Sequence, residues 1–377
     1  MENFTIYNPV NLHFGKGVLD LLPSSINQYG ERILLIYGKS SIKESGLYNQ
    51  LMSMLDGFTI FEYEGIKSNP LVEDADAATK IARENKVDVI LAVGGGSVID
   101  TAKMVSIGVA EECSVWDYMI GKEHPSKAIP LFAVLTLAAT GTEMNPFAVL
   151  QNEKLKRKIG YGHSFLYPKE SYLDPQLTTT VSKDYTVYGI VDLIAHALEA
   201  YFGKGDSPLA DRFVYSIIEE AMEVGPELLR NLDNYELRAR IMYAATMALN
   251  GTTLHGRQSG DWGVHAIGHE LSLLFDIAHG ASLSIAYPAW MRIMKSKASD
   301  RICELGSVLF GAQDVDETAL EFEEFFKSLG APTRLTDVNI KDKDRKKIIR
   351  QWSDNNISGL NYKLSEGDYK PLLDYMI

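Results

Sequence analysis

Cysteine is nearly absent: Cys113 and Cys303 are the only two in 377 residues, far apart and in no CxxC spacing. That argues against a disulfide framework or a thiolate zinc site and suits a reducing compartment. Positive charge is also in deficit. Lys and Arg number 37 against 50 Asp and Glu, for a net charge of −13, so no basic stripe for nucleic acid is expected. Long apolar runs are missing too. Stretches such as 87–93 are too short to span a bilayer, and the opening Met1-Glu2-Asn3-Phe4-Thr5-Ile6 lacks the basic start and apolar core of a secretory signal. The expected address is the cytoplasm, with neither membrane nor nucleic acid as partner. Core-forming material, by contrast, is plentiful. An apolar content of 46%, with four Trp, 19 Tyr and 14 Phe, implies a folded chain long enough for two domains.

The first half alternates two patterns. Residues 32–37, 58–63, 87–93 and 129–135 read as apolar strands, and 42–55 and 72–85 as helices, the second entered through Asn69-Pro70. Unbroken apolar strands separated by helices predict a doubly wound parallel sheet covered on both faces. Residues 4–14 read as an extra hairpin. Past Asp174-Pro175 helical periods dominate, at 186–202, 208–229, 235–254, 260–275 and 316–329. The expectation is an α/β dinucleotide-binding domain over 1–182 and an all-helical domain over 183–377. The charge run 341–347 reads as a solvated helix face.

Three loops of the first half draw notice. Gly94-Gly95-Gly96-Ser97 ends an apolar strand, and ligands of open α/β sheets bind outside the carboxyl ends of strands. Glycines admit a pyrophosphate to the backbone, and the next helix offers N–H groups and its positive dipole end. The spacing is not GxGxxG, and a plain tight turn is the competing reading. Asp100 would complement the dipole. Gly38-Lys39-Ser40-Ser41 lacks the acidic residue that an NAD site offers the ribose, the first carboxylate being Glu44. Lys39 suits a 2′-phosphate, so NADP(H) is favoured over NAD(H); the alternative is a lysine in an exposed turn. The hydroxyl-rich run 135–143 supplies either phosphate and carboxamide contacts or helix caps. Lys158 is either a cofactor cation or part of a solvated basic cluster.

The second half carries Asp192 and His196, four apart and therefore stacked on one helix face. His265, His269 and His279 follow within fifteen positions. Val187, Ile190, Ile194 and Leu198 form an apolar stripe on a different face of the first helix. The competing reading is that the polar face is simply wet. One carboxylate with three imidazoles suits Fe²⁺ or Zn²⁺. Beside a nucleotide loop, such a cation implies hydride chemistry on a polarised C–O group.

At these residues the chain resembles the iron-containing (group III) alcohol dehydrogenases, especially the branch of NAD(P)H-dependent butanol dehydrogenases. The resemblance runs from Phe14-Gly15-Lys16-Gly17 to Gly330-Ala331-Pro332. It is strongest at Asp192-Leu193-Ile194-Ala195-His196-Ala197-Leu198-Glu199-Ala200-Tyr201 and at the spaced His265, His269 and His279-Gly280. It implies Asp192, His196, His265 and His279 as metal ligands and His269 as a proton-relay residue near nicotinamide and alcohol oxygen. It implies cofactor contacts at Gly38, Lys39 and Ser40 (adenosine end), at Gly95, Gly96 and Ser97 (pyrophosphate), and at Asn69, Thr136, Leu137, Thr142, Lys158 and Leu177. The implied fold, shared with dehydroquinate synthase, places catalysis between the two domains, with small primary alcohols or aldehydes as substrates and a homodimer as assembly. Ala138-Ala139-Thr140 and Gln151 depart from the branch pattern, as does Gly-Lys-Ser-Ser from the Gly-Gly-Gly-Ser of NADP-preferring members. A dehydroquinate-synthase-like lyase would carry Glu as first ligand, so Asp192 disfavours it. A nucleotide sensor with a decayed site is disfavoured by the intact ligand set.

Overall fold

A computed structural model of the chain describes residues 1–110 and 112–377. The chain divides into two compact units. One comprises Tyr7–Val181 and Leu232–Met242; the other comprises Met1–Ile6, Ser182–Asn231 and Tyr243–Ile377. The main division thus falls between residues 181 and 182, and two short segments lie outside any single cut.

The α/β unit contains β1 (Asn11–Phe14), β2 (Arg32–Tyr37), β3 (Thr59–Tyr63), β4 (Val89–Gly94), β5 (Leu131–Leu135), β6 (Phe147–Asn152), β7 (Arg157–Gly162) and β8 (Glu170–Leu173). Six of them form one sheet in the order β1-β8-β5-β4-β2-β3, and every pairing in it is parallel. Side chains alternate between its faces. Ile33, Leu35, Tyr37, Val89, Leu91 and Val93 join one apolar cluster, whereas Leu34, Ile36, Ile90 and Ala92 join the other. Such strands read as unbroken apolar runs because both faces are covered, each buried side chain contributing about 1.5–3 kcal/mol. From β2 the chain moves outward to β3, and from β4 it moves the other way to β5. The switch point lies between β2 and β4, so the loops that follow them, at Gly38 and Gly95, flank the crevice where doubly wound sheets take ligands.

Several expectations need correction. Residues 4–14 do not form a hairpin: β1 is a lone strand parallel to β8, and Pro9, which has no N–H, precedes it while Asn8 Oδ1 accepts the Val10 N–H. The helix expected over 42–55 is two, Ser41–Glu44 and Leu47–Met54, parted by Gly46 at φ 81°, a left-handed conformation natural to glycine. The hairpin of β6 and β7 was not anticipated. It docks on the Asn69-Pro70 turn, the Gln151 N–H donating to the Pro70 carbonyl at 2.8 Å.

The second unit is helical, and among the described residues none of its helices is long and apolar enough to cross a membrane. Helices Lys183–Tyr201, Gly263–Phe275 and His279–Ile293 meet at small residues. A Cβ on Gly280 would lie 2.3 Å from the Tyr188 carbonyl oxygen, and one on Gly268 would lie 2.7 Å from Ser282 Oγ. His279–Ile293 escapes periodicity analysis because nearly all of it is buried, so no polar face betrays its period.

A buried cation and a buried carboxylate, bridged by the Thr142 hydroxyl, organise the loops of the α/β unit. Lys103 is wholly buried on helix Gly96–Gly108. Its Nζ donates to Thr142 Oγ1 at 2.7 Å, to the Asn145 and Phe147 carbonyls at 2.8 and 2.7 Å, and to Asn145 Oδ1 at 3.1 Å. Asp100, one turn earlier, accepts from Thr142 Oγ1 at 2.6 Å and from the Val149 N–H at 2.9 Å. Burial pulls the Lys103 ammonium down to about 8, against the carboxylates of Asp100 and Glu143. Asp100 therefore does more than complement a dipole; with Lys103 it staples the 142–149 segment to the helix after the glycine loop.

Two substitutions probe this architecture. Lys103→Met leaves Asp100 buried without its cation and is expected to lower stability by roughly 3–5 kcal/mol, read as a fall in the urea midpoint; an unchanged midpoint would contradict the staple. Gly280→Ala drives a methyl into the Tyr188 backbone, so a loss of about 1–3 kcal/mol is expected. A thermal midpoint equal to that of the wild type would mean the helices do not meet so closely.

Candidate metal centre and nucleotide loops

In the α/β unit the glycine loop uses its missing side chains for packing. A Cβ on Gly94 would lie 2.5 Å from Val98 Cγ2, one on Gly95 would lie 3.2 Å from Leu137 Cβ, and one on Gly96 would lie 2.7 Å from Thr140 Oγ1. The loops after β4 and β5 are thus pressed together, and the Thr136 N–H donates to the Gly94 carbonyl at 3.0 Å. Gly95 is the N-cap of helix Gly96–Gly108 in extended conformation, leaving that helix's first N–H groups available to an anion. Ser97 donates through Oγ to the Ser68 carbonyl at 2.6 Å.

The other expected contact residues lie as follows. Gly38 is partly exposed, and Lys39 and Ser40 are exposed, at the carboxyl end of β2. Asn69 and Lys158 are both buried and meet, Lys158 Nζ donating to Asn69 Oδ1 at 2.8 Å. Lys158 is therefore no part of a solvated cluster. Leu137 and Thr136 are half-buried and Leu177 packs on the Tyr37 face of the sheet. Thr142 is different, because its hydroxyl is engaged inward by Asp100 and Lys103.

In the helical unit, helix Lys183–Tyr201 is capped by Ser182, whose Oγ accepts the Tyr185 N–H. Asp192 and His196 are buried on it rather than wet. Asp192 Oδ1 lies 3.7 Å from His196 Nδ1, 3.9 Å from His265 Nε2 and 3.8 Å from His279 Nε2. The ligand atoms of Asp192, His265 and His279 all fall within 4.8 Å of one another. His196 and His265 have ring centroids 4.7 Å apart, and those of His265 and His279 are 5.2 Å apart.

These residues fit a divalent cation. Donors bound at about 2.1 Å stand about 3.4 Å apart in a tetrahedral shell, close to the 3.7–3.9 Å that separate the three imidazole nitrogens from Asp192 Oδ1, although His196 lies outside the set of mutually close atoms. His196 Nδ1 is buried yet makes no hydrogen bond among the described residues, an arrangement costly without a ligand. Burial pushes the His196 imidazole down to about 4 although Asp192 pulls it up, so near pH 7 it is neutral and retains a lone pair. His269 is half-buried, its ring centroid 5.1 Å from that of His279 and 6.2 Å from that of His265.

Two residues that the sequence did not single out, Glu199 and Asp261, support the cluster, together with Trp262, which the sequence offered as a pocket residue. Glu199, fully buried, accepts from the His265 backbone at 2.9 Å. Burial drives its carboxyl up to about 8 while the backbone N–H groups of His265, Trp262 and Val264 oppose the rise. Asp261 accepts from the Asn361 and Tyr362 backbones at 2.9 and 2.6 Å and from Gly263 at 3.2 Å, tying the 361–362 segment to the start of helix Gly263–Phe275. Trp262 caps that helix at φ 62°, rare for a bulky residue and typical of functional sites. Its indole stands edge-on to His265, with centroids 5.4 Å apart. The i, i+4, i+7 spacing of Asp192, His196 and Glu199 was the available signal for the first of these.

Comparison with known proteins agrees with this geometry. The family model for iron-containing alcohol dehydrogenase matches residues 9–175, and that for the C-terminal part of the Fe-containing alcohol dehydrogenase family matches 186–369. The chain is 40% identical to a probable NADH-dependent butanol dehydrogenase 1 of Bacillus subtilis (strain 168), over 99% of each protein. It is 32% identical to an NADPH-dependent aldehyde reductase of Escherichia coli (strain K12), over 96% of this chain and 95% of that one. The crystal structure of NADH-dependent butanol dehydrogenase A from Thermotoga maritima superposes with a TM-score of 0.95 at 38% identity, covering 100% of this chain and 99% of the other. The chain belongs to the iron-containing alcohol dehydrogenase family.

Proposed function

We propose that this enzyme interconverts small primary alcohols and aldehydes by hydride exchange with a nicotinamide nucleotide, using a divalent cation held by Asp192, His196, His265 and His279. The single observation that carries the reading is the approach of His196, His265 and His279 nitrogens to within 3.7, 3.9 and 3.8 Å of Asp192 Oδ1, with Asp192, His265 and the half-buried His279 forming a set whose ligand atoms lie within 4.8 Å of one another. When bound, the cation supplies Lewis acidity to the substrate oxygen, and the nicotinamide supplies or accepts the hydride. The chain's own residues do the rest. Asp192 brings the one negative charge to the cluster, and burial keeps competing water from its ligands. His269, beside His279, takes the alcohol proton on a ring nitrogen and returns it in the reverse direction. The helix Gly96–Gly108 offers its N–H groups to the pyrophosphate.

For the nucleotide we propose NADP(H). Lys39, exposed at the end of β2, offers an ammonium to a 2′-phosphate. NAD(H) is the second reading, supported by relatives whose names specify NADH, at 40 and 42% identity.

Extraction with a chelator should abolish turnover of butanal, and Fe²⁺ or Zn²⁺ should restore it. Asp192→Asn is expected to weaken cation binding more than about 100-fold, beyond the 10–100-fold typical of supporting residues. Full turnover by verified metal-free protein would sink the reading. Lys39→Ala should lower kcat/KM for NADPH by about 10-fold or more, the worth of a charge-assisted hydrogen bond, with NADH kinetics unchanged. Equal losses with both nucleotides, or none, would favour NAD(H).

A further inference from the structure

The helix bearing Asp192 and His196 carries a third polar residue on the same line. Glu199 lies seven positions past Asp192, two turns along the helix, so the three share one face. Its carboxylate meets the first turn of helix Gly263–Phe275. Oε1 accepts the His265 backbone N–H at 2.9 Å and stands 2.9 Å from Nδ1 of the same residue. The backbone N–H groups of Trp262 and Val264 also help hold the Glu199 carboxyl down against burial. One buried carboxylate thus gathers the donors at a helix N-terminus, where negative charge is favoured.

The consequence for His265 is chemical as well as steric. Oε1 already accepts the His265 backbone N–H, so this oxygen faces Nδ1 as an acceptor even if the group's other oxygen holds a proton, and Nδ1 carries the proton of the neutral imidazole. Nε2 is left with the lone pair, and Nε2 is the atom 3.9 Å from Asp192 Oδ1. Because one oxygen holds both the backbone and the ring of the same residue, rotation of that ring is restricted too. We propose that Glu199 is a positioning residue that selects the Nδ1–H tautomer of His265 and thereby presents Nε2 to the cation. The inference rests on the metal reading above. It makes Glu199 a partner on the far side of the imidazole from the ligand atom, not a fifth ligand.

Glutamine tests this most sharply. It matches glutamate in shape but replaces one acceptor oxygen with an NH₂ group, which must face either a backbone donor or Nδ1. Aspartate keeps the acceptor character but is one methylene short. The experiment uses the full-length protein with ¹⁵N-labelled histidine, metal-free for ring-nitrogen NMR, then titrated with Co²⁺ and followed by visible absorption. NADPH binding and the urea midpoint report whether each variant is folded. Wild type should show a single Nδ1–H tautomer at His265. Glu199→Gln should lose it and bind Co²⁺ about 10–100-fold more weakly, with a changed visible spectrum and unaltered NADPH binding; Glu199→Asp should recover part of the affinity. A folded Glu199→Gln protein that keeps the tautomer and the Co²⁺ affinity overturns the role of Glu199 and leaves the metal reading intact. Failure of the wild type itself to take up Co²⁺ overturns the metal reading and this role with it.

Discussion

Burying charge in an apolar helical unit is the constraint to which the rest of this structure answers. Helix Lys183–Tyr201 sinks Asp192, His196 and Glu199 beneath the surface on one face, where any isolated ion would cost several kcal/mol. The structure meets that cost in two ways. Glu199 is answered inside the protein, by the N–H groups that open the next helix. Asp192 is faced by imidazoles whose nitrogens stand 3.7–3.9 Å from its Oδ1. The tight crossings at Gly268 and Gly280 bring together the three helices that carry these side chains.

The α/β unit solves a related problem with different chemistry. Its buried lysine is saturated by carbonyls, an amide and a hydroxyl, so the protein's own groups hold these loops in place. Gly95 and Gly96 are read most simply as loop–loop contacts, while Gly94 at the end of β4 makes room for Val98, and the same closeness leaves the following helix's N-terminus uncluttered. A loop built this way serves packing and binding at once.

Much of this was legible in the sequence, and the exceptions share physical causes. The strands β2, β4 and β5 announced themselves because both faces of a parallel sheet are buried and no polar residue interrupts the run. Asp192 and His196 were legible through helical spacing, and the family resemblance extended the set to His265 and His279. The hairpin of β6 and β7 was missed because its basic strand, Arg157–Gly162, looks like a solvated cluster until Lys158 is seen bonded to Asn69. His279–Ile293 was missed because a helix buried all round has no period to detect. Glu199 stood in the strongest motif, yet its task depends on a helix that begins sixty positions later, which no local pattern encodes.

The placement of β1 also bears on how the chain is made. Its sheet partner is β8 alone, and His13 reaches Glu170 across a separation of 157 residues. At ribosomal rates of about 5–20 residues per second, roughly 8–30 s pass before the first strand has anything to pair with. Until then β5 presents an open flank to its surroundings, and long-range parallel closure of this sort is slow. The nascent polypeptide therefore spends its most aggregation-prone interval before the segment that protects it has left the ribosome, which makes the emergence of residues 170–173 the kinetic gate for the whole sheet.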